Sequence, residues 1–496
     1  MMRGLRTVAI AFLIAFSAIG SAQQLSSSLG TATSGIAINS VGGLPQFLGN
    51  DVRLRWLVPG DIELTSRLTS LHYDVVGEDL GDGIRRTMTS REAIDGRILT
   101  HHYFLTDPGD ASAHNTVRLD LDIPAGASLE LSGEASFVPE PLPGFGALYG
   151  KVLAIAVDAD GQQKLESSAE ISAERSLVPG DWFGVRNRFW TGLLRSEAAT
   201  LNIQVDTGQE NLPRLIVMPR RDVSRMQLEL YAGPIESNGL SAVDSKLSGM
   251  MYAALWEWLR ALCFGMSWLL TSVQSLVGNV GLAIILLSVC VKILMSPLTL
   301  VADRWQDSVN KTAAILQPPI DAIKRQYKGE DAHTRILAVY REHNVNPMYA
   351  VKSLAGFLIQ IPIFIAAFDV LGEGFLLNDT SFLWTQDLAK PDRALPLPWE
   401  LPFFGAYLNL LPFLMTGVTL FTSWIQMEPS LTPELLRKQR LRLYLMAVAF
   451  FLLFYTFPAG MVLYWTTNNV LHLLKIQIGR WRKGDDSARE GLSSRK

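Results

Sequence analysis

Cysteine is nearly absent from this chain of 496 residues, which contains two, Cys263 and Cys290. Both lie in the apolar C-terminal half, and the polar half before residue 245 has none. A disulfide framework is therefore excluded for the polar half, even if that half is exported. Surplus charge is lacking too: the formal net charge is -3, so charge gives no support to nucleic-acid binding, and no DNA partner is predicted.

Motifs for nucleotide and metal chemistry are also missing. No GxxxxGK phosphate-binding motif occurs, and no cofactor or metal site is predicted. What the sequence does have is two unlike halves, with a boundary near residues 245–250. Residues 1–23 read as a secretory signal or a short first transmembrane span, because Arg3 and Arg6 precede an apolar core and small residues follow it.

The polar half, residues 24–245, predicts an all-β domain. Short alternating stretches such as "TVRLDLDI" and "MQLELYA" are separated by Gly, Pro, Asp or Asn. This pattern is typical of an antiparallel β-sandwich, here on the exported, periplasmic side.

The apolar half predicts a polytopic α-helical membrane protein. Residues 250–273 keep Glu257 and Arg260 among Trp, Leu and Met, which favours an amphipathic helix lying in the membrane interface. A core at 278–480 follows, with a basic tail at 481–496. Its five candidate transmembrane helices are at about 278–300, 350–372, 405–427, 441–457 and 459–478.

Charge predicts the orientation of these spans. Residues 303–346 are predicted to form a helical hairpin whose first arm is broken by Pro318 and Pro319. This segment contains seven Lys or Arg, whereas residues 373–404 contain two Lys or Arg and five Asp or Glu. The positive-inside rule places the hairpin and the C-terminus in the cytoplasm and 373–404 outside, in agreement with an exported N-terminal domain.

Lys292 is the one charged residue in the stretch "LLSVCVKILMSPLTLV" of the first span. Burying it in lipid would cost roughly 2.5 to 3.5 kcal/mol. If the span ends near Pro297, the lysine simply snorkels to the cytoplasmic boundary. Ser288 lies one turn before Lys292 in the same span, and other spans carry Gln360 and the polar stretch from Thr466 to Asn469. Together these residues favour a shared hydrated pocket over isolated contacts between helices.

Three stretches carry a family resemblance: "SLVGNVGLAIILLSVCVKILMSPLTL", "NVNPMYAVKSLAGFLIQIPIFIAAF" and "FPAGMVLYWTTNNVLHLLKIQI". Together they resemble the YidC/Oxa/Albino family of membrane protein insertases, in its Gram-negative YidC type. The resemblance covers about residues 255–482, and the exported domain is matched by architecture alone. It implies a substrate groove whose residues are Lys292, Ser288, Gln360, Tyr464, Trp465 and Asn468.

The resemblance also implies that Ile361 and Phe364 form the apolar face that contacts clients. The family usually has arginine where this chain has Lys292, so positive charge is kept and the bidentate fork is lost. No catalytic residue is implied, and the protein is not expected to be an enzyme.

The activity implied is insertion of client proteins into the bacterial inner membrane without nucleotide hydrolysis, through a groove open to cytoplasm and lipid. Partners implied are nascent membrane-protein clients, membrane lipids, the Sec translocon, the ribosome and the signal recognition particle. Two other functions stay open: an intramembrane hydrolase using Ser288 and Lys292 as a dyad, and a small-solute transporter.

Overall fold

The computed structural model describes residues 35–38, 40–48, 52–80, 83–106, 115–165, 173–207, 212–219, 223–425 and 433–493. The signal-like segment 1–23 lies outside the described residues, as do the first residues of the predicted β domain.

Eighteen strands occur in the described part of the chain. In chain order, β1 to β18 are Gly35–Ile38, Pro45–Leu48, Val52–Leu57, Tyr73–Asp79, Gly83–Ser90, Thr100–Thr106, Thr116–Asp122, Ser128–Gly133, Leu153–Asp158, Gly161–Leu165, Ala173–Leu177, Trp182–Arg186, Trp190–Ser196, Leu201–Thr207, Pro213–Met218, Arg225–Pro234, Leu395–Leu401 and Gly405–Leu408.

Sixteen of these strands form two antiparallel sheets in the N-terminal half. One has the order β1-β2-β3-β8-β15-β14-β11 and the other β10-β9-β12-β13-β16-β7-β6-β5-β4. The sheets pack face to face because alternate residues are apolar: in β3, Val52, Leu54 and Trp56 are buried and the arginines between them face outward. A common core joins residues of both sheets, so the predicted β-sandwich is confirmed.

His101 lies inside this sandwich and is 0% exposed. Its Nε2 is 3.1 Å from the Tyr73 hydroxyl, and its ring stacks on Trp56. Burial lowers the pKa of His101 to about 4 from 6.5, although Asp122 nearby opposes the shift.

Acidification is therefore expected to destabilise the β-sandwich. Between pH 7 and pH 5 the unfolded chain binds a proton at this histidine and the folded chain does not, which costs about 2 kcal/mol of folding free energy. Thermal midpoints of the detergent-solubilised protein at the two pH values measure the effect. The same pH dependence in His101→Phe would contradict it.

Nine α-helices also occur in the described residues. In chain order, α1 to α9 are Ile62–Ser70, Ser237–Val243, Glu257–Val277, Val280–Gln326, Gly329–Glu342, Ala355–Glu373, Leu410–Ile425, Pro433–Phe454 and Ala459–Ser493. Short 3₁₀ segments include Gly144–Tyr149, Ser245–Met250 and Pro347–Leu354.

The first arm of the hairpin is not broken at Pro318 and Pro319, so that prediction was wrong. Helix α4 runs through both prolines to Gln326, and α5 returns beside it. Each proline removes one backbone hydrogen bond, but Leu316 and Ile320 pack against Val339 of α5 and hold this stretch of α4 in line.

By length and composition, α4 is the one helix in the described residues that is apolar enough to cross a membrane, and α7 is a shorter apolar helix. The five-span core therefore stays a prediction. Helix α3 occupies most of the segment predicted to lie in the interface, and Trp258 and Trp268 on it are exposed.

The β-sandwich docks on one end of the helices. The 3₁₀ segment Gly144–Tyr149 enters the helical core, where the Gly146 amide donates to the Thr456 hydroxyl at 3.3 Å and the Tyr149 ring lies 6.2 Å from Phe368. Arg188 is buried between the two parts. It donates from Nε to the carbonyl oxygen of Gly372 at 2.6 Å and from Nη1 to that of Ala389 at 2.7 Å.

Candidate functional site

The two ends of the helical core differ in packing. At the end that touches the β-sandwich, Val280 to Ser288 of α4 are largely buried, as are all residues of α9 from 459 to 464. Further along, none of residues 289–301 is buried, and none of residues 469–478. Helix α6 shows the same difference: its buried residues lie within 366–372, and none of residues 358–365 is buried. The core is thus closed beside the β-sandwich and opens toward the hairpin of α4 and α5; we call this second part the open half.

Lys292 lies on α4 at the start of the open half and is partly exposed. It is within electrostatic range of Asp303, Lys475 and His472. The Lys475 amine, however, is 2.7 Å from the Asp303 carboxylate and already pairs with it. In the part of the chain that the structure describes, no carboxylate oxygen lies within 4.0 Å of the Lys292 amine, so its charge is available to an incoming anion.

Ser288 has a different environment although it is one turn from Lys292. It is 0% exposed, and its hydroxyl donates to the Ile284 carbonyl at 3.1 Å and to the Tyr464 carbonyl of α9 at 3.3 Å. The structure therefore places Ser288 inside the α4–α9 contact. In this state it does not line the open half.

Among the predicted aromatic and amide residues, some are also buried between helices and others are accessible. Tyr464 is 2% exposed, and Asn468 is buried with its side-chain amide donating to the Tyr464 carbonyl at 3.1 Å. Trp465 is partly exposed and packs on Phe364 of α6 at 4.9 Å between ring centroids and on Phe454 of α8 at 5.9 Å.

Gln360 is exposed and Ile361 partly exposed on α6, one turn before Phe364. The open half therefore combines the Lys292 cation, the Gln360 amide and an apolar face that Ile361 and Phe364 of α6 form with Trp465 of α9. Such a surface can contact an apolar segment and an anionic one together. Within the described residues, no cluster of His, Cys, Asp or Glu suited to a metal ion occurs.

Sequence reasoning missed two features. The first is the set of charges around Lys292, which comes from α9 as well as from α4. The second is the buried Arg188, which the sequence could have indicated. The stretch "WFGVRNRFW" places two arginines in an apolar strand and turn, and a buried arginine needs hydrogen-bond or charge partners.

Comparison with known proteins bears on residues 272–483, which match the family model described as 60Kd inner membrane protein. The membrane protein insertase YidC of Chlorobium limicola is 28% identical over 321 residues, 62% of this chain and 53% of that protein. The YidC of Syntrophobacter fumaroxidans is 33% identical over 255 residues, 51% of this chain and 43% of that protein. The resemblance to YidC-type insertases is confirmed.

The family-model match covers the end of α3 and all of α4 to α8 with most of α9, which includes every residue of the candidate site. The chain spans about half the length of the curated YidC relatives that it matches. A solved structure of an active YidC insertase with its first transmembrane domain resolved overlays at a TM-score of 0.34 and 18% identity, over 87% of this chain and 84% of that one, which is too loose to define the fold.

Proposed function

We propose that this protein is an inner-membrane insertase that receives hydrophilic segments of client proteins in its open half and releases their apolar segments into lipid. The observation that carries the proposal is the decrease in burial along α4, α6 and α9, with Lys292 where dense packing ends and no carboxylate within 4.0 Å of its amine among the described residues. Names of the YidC relatives support the same activity.

Orientation follows from the charges. The proposed hairpin and the C-terminus lie in the cytoplasm, and the β-sandwich lies in the periplasm against the closed end of the helices. The hairpin segment 303–346 carries seven Lys or Arg, in keeping with the positive-inside rule. Core helices α4, α6, α7, α8 and α9 are proposed to form the five spans.

Insertion in this arrangement needs no nucleotide. Water and Lys292 solvate a polar terminus part of the way across, which shortens the apolar barrier that this terminus has to cross. The client's apolar segment meanwhile slides along Ile361, Phe364 and Trp465. Burial of about 20 apolar residues in lipid supplies the drive, and the membrane potential adds roughly 2.3 kcal/mol per charge per 100 mV for acidic termini.

Partners are proposed on the same basis. Nascent membrane proteins are the clients, and the cytoplasmic hairpin and basic tail are proposed to contact the ribosome, the signal recognition particle or the Sec translocon. The test of the activity is reconstitution of the purified chain in liposomes with a short single-span client. Client integration no faster than in empty liposomes would contradict the proposal.

The hydrolase alternative makes an opposite prediction for Ser288. The single hydrogen of its hydroxyl is shared between two backbone carbonyls, so Ser288→Ala is expected to weaken the α4–α9 contact by about 1 kcal/mol. Insertion should stay within about twofold of the unchanged protein. A dyad nucleophile would instead lose all activity. Insertion rates, together with cleavage of the client on gels, decide between the two.

A solute transporter is the other alternative. It would require paired repeats with helices broken at mid-membrane, whereas α4 is continuous over 47 residues. Uptake of a labelled solute that a trapped client helix leaves unchanged would favour transport over insertion.

A further inference from the structure

An exposed apolar hairpin stands at the junction of the β-sandwich and the helices. It comprises residues 395–408, in which β17 and β18 pair antiparallel. Five of its large apolar side chains are more than a third exposed: Leu395 at 59%, Trp399 at 65%, Leu401 at 37%, Phe403 at 47% and Tyr407 at 38%. The one charged residue in the hairpin is Glu400. Large apolar side chains exposed together in one short hairpin are typical of an interaction surface.

The hairpin is held at both its base and its turn. Near the base, Tyr455, which follows α8, donates its hydroxyl to the Tyr407 carbonyl at 3.1 Å; at the turn, Phe403 packs edge to face on Phe145 of the β-sandwich at 5.1 Å. Asp392 accepts from the backbone amide of Leu410 at 3.0 Å, so the first turn of α7 is fixed to the loop that leads into the hairpin. Exposure is therefore confined to a rigidly placed outer surface.

Chain continuity fixes where this surface lies. Residue 409 alone separates the hairpin from α7, whose first five residues include the exposed apolar residues Leu410, Phe413 and Leu414. If α7 crosses the membrane, as the proposed function requires, its first turn enters the hydrocarbon and the hairpin sits at the outer water–lipid boundary. Trp and Tyr are enriched at that level because each has an apolar ring and a polar atom.

Backbone chemistry disfavours the addition of a protein strand to β17. Pro396 and Pro398 lie in β17 and lack the amide that an added strand would need as donor. A lipid surface makes no such demand.

We propose that hairpin 395–408 is a lipid anchor, which inserts Leu395 and Trp399 into the outer-leaflet headgroup region and sets the depth at which α7 starts. The proposal rests on the proposed function, since it needs α7 to span the bilayer. Its occupant is the phospholipid surface itself.

The test places a fluorophore on the full chain at single cysteines. The parent carries Cys290→Ala and retains Cys263, which is 0% exposed. Probes are Trp399→Cys and Leu395→Cys in the hairpin, Leu414→Cys in α7, and Ile62→Cys on the β-sandwich, where Ile62 is 88% exposed. Each labelled protein is reconstituted in phosphatidylethanolamine and phosphatidylglycerol vesicles, with or without a lipid that carries a nitroxide near its headgroup.

Both hairpin probes are expected to lose more than about half of their emission to the nitroxide lipid, because interfacial side chains sit within about 5–10 Å of the headgroup boundary. Leu414→Cys is expected to be quenched as well, and Ile62→Cys is not. Quenching at 414 without quenching at 395 and 399 overturns the anchor and leaves the spanning helix intact. No quenching at 414 contradicts the proposed function instead. Cross-linking of Trp399→Cys to a second copy, without lipid quenching, also overturns the anchor.

Discussion

Lys292→Glu is expected to lower the insertion rate of a short single-span client with an acidic terminus by more than about tenfold, and Lys292→Arg is expected to retain insertion. A client carboxylate about 5 Å from the amine gains roughly 3 kcal/mol at an effective dielectric constant of about 20, and reversal turns this gain into a comparable penalty. The Lys292 amine has no carboxylate within 4.0 Å among the described residues, so that gain is not already used inside the protein.

The controls isolate charge from folding. A client whose acidic residues are replaced by their amides should be inserted equally by the unchanged protein and by Lys292→Glu. Lys151→Glu makes the same reversal at an exposed position of the β-sandwich and should leave insertion unchanged. Equal insertion of the acidic client by Lys292→Glu would rule out an electrostatic role for this residue.

Arg188→Ala is expected to lower the free energy of unfolding by about 3 kcal/mol, because it leaves the buried carbonyls of Gly372 and Ala389 without their charged donor. Contacts of the guanidinium with the rings of Tyr149 and Phe189, at 4.4 and 4.5 Å, are lost as well. Burial lowers the pKa of Arg188 to about 10, so the side chain stays charged at neutral pH. The thermal midpoint of the detergent-solubilised protein should fall by about 5–10 °C.

Two variants make the Arg188 experiment specific. Arg188→Lys keeps the charge but not the fork that reaches both carbonyls, so it should fall between the unchanged protein and Arg188→Ala. Arg97→Ala removes an exposed arginine from the same domain and should not move the midpoint. An unfolding midpoint for Arg188→Ala equal to that of the unchanged protein would show that the two carbonyls are satisfied in another way.

The β-sandwich could be predicted from local pattern because one face of each strand is buried. In "TVRLDLD", the alternating Val117, Leu119 and Leu121 became the buried side of β7. The docking of this domain on the helices could not be predicted, since Arg188 finds its partners 184 and 201 residues away along the chain.

The candidate site was harder to predict than the fold. Ser288 and Lys292 share a face of one helix, and sequence spacing predicts that they act together. Packing separates them: Ser288 is buried in the α4–α9 contact and Lys292 is partly exposed, so one side chain joins two helices and the other is accessible. A helix that is apolar on every side carries no periodic signal of where burial by its neighbours ends.

The unbroken course of α4 sets a length scale for client delivery. Its 47 residues form a rod of about 70 Å at 1.5 Å per residue, of which the hydrocarbon layer takes about 30 Å. In the proposed orientation the remaining 40 Å or so projects into the cytoplasm. A client held at the tip of that rod reaches the membrane through an extended segment of about 12 residues, at some 3.3 Å per residue. Clients with shorter polar termini would have to leave the tip before their first apolar residue meets lipid.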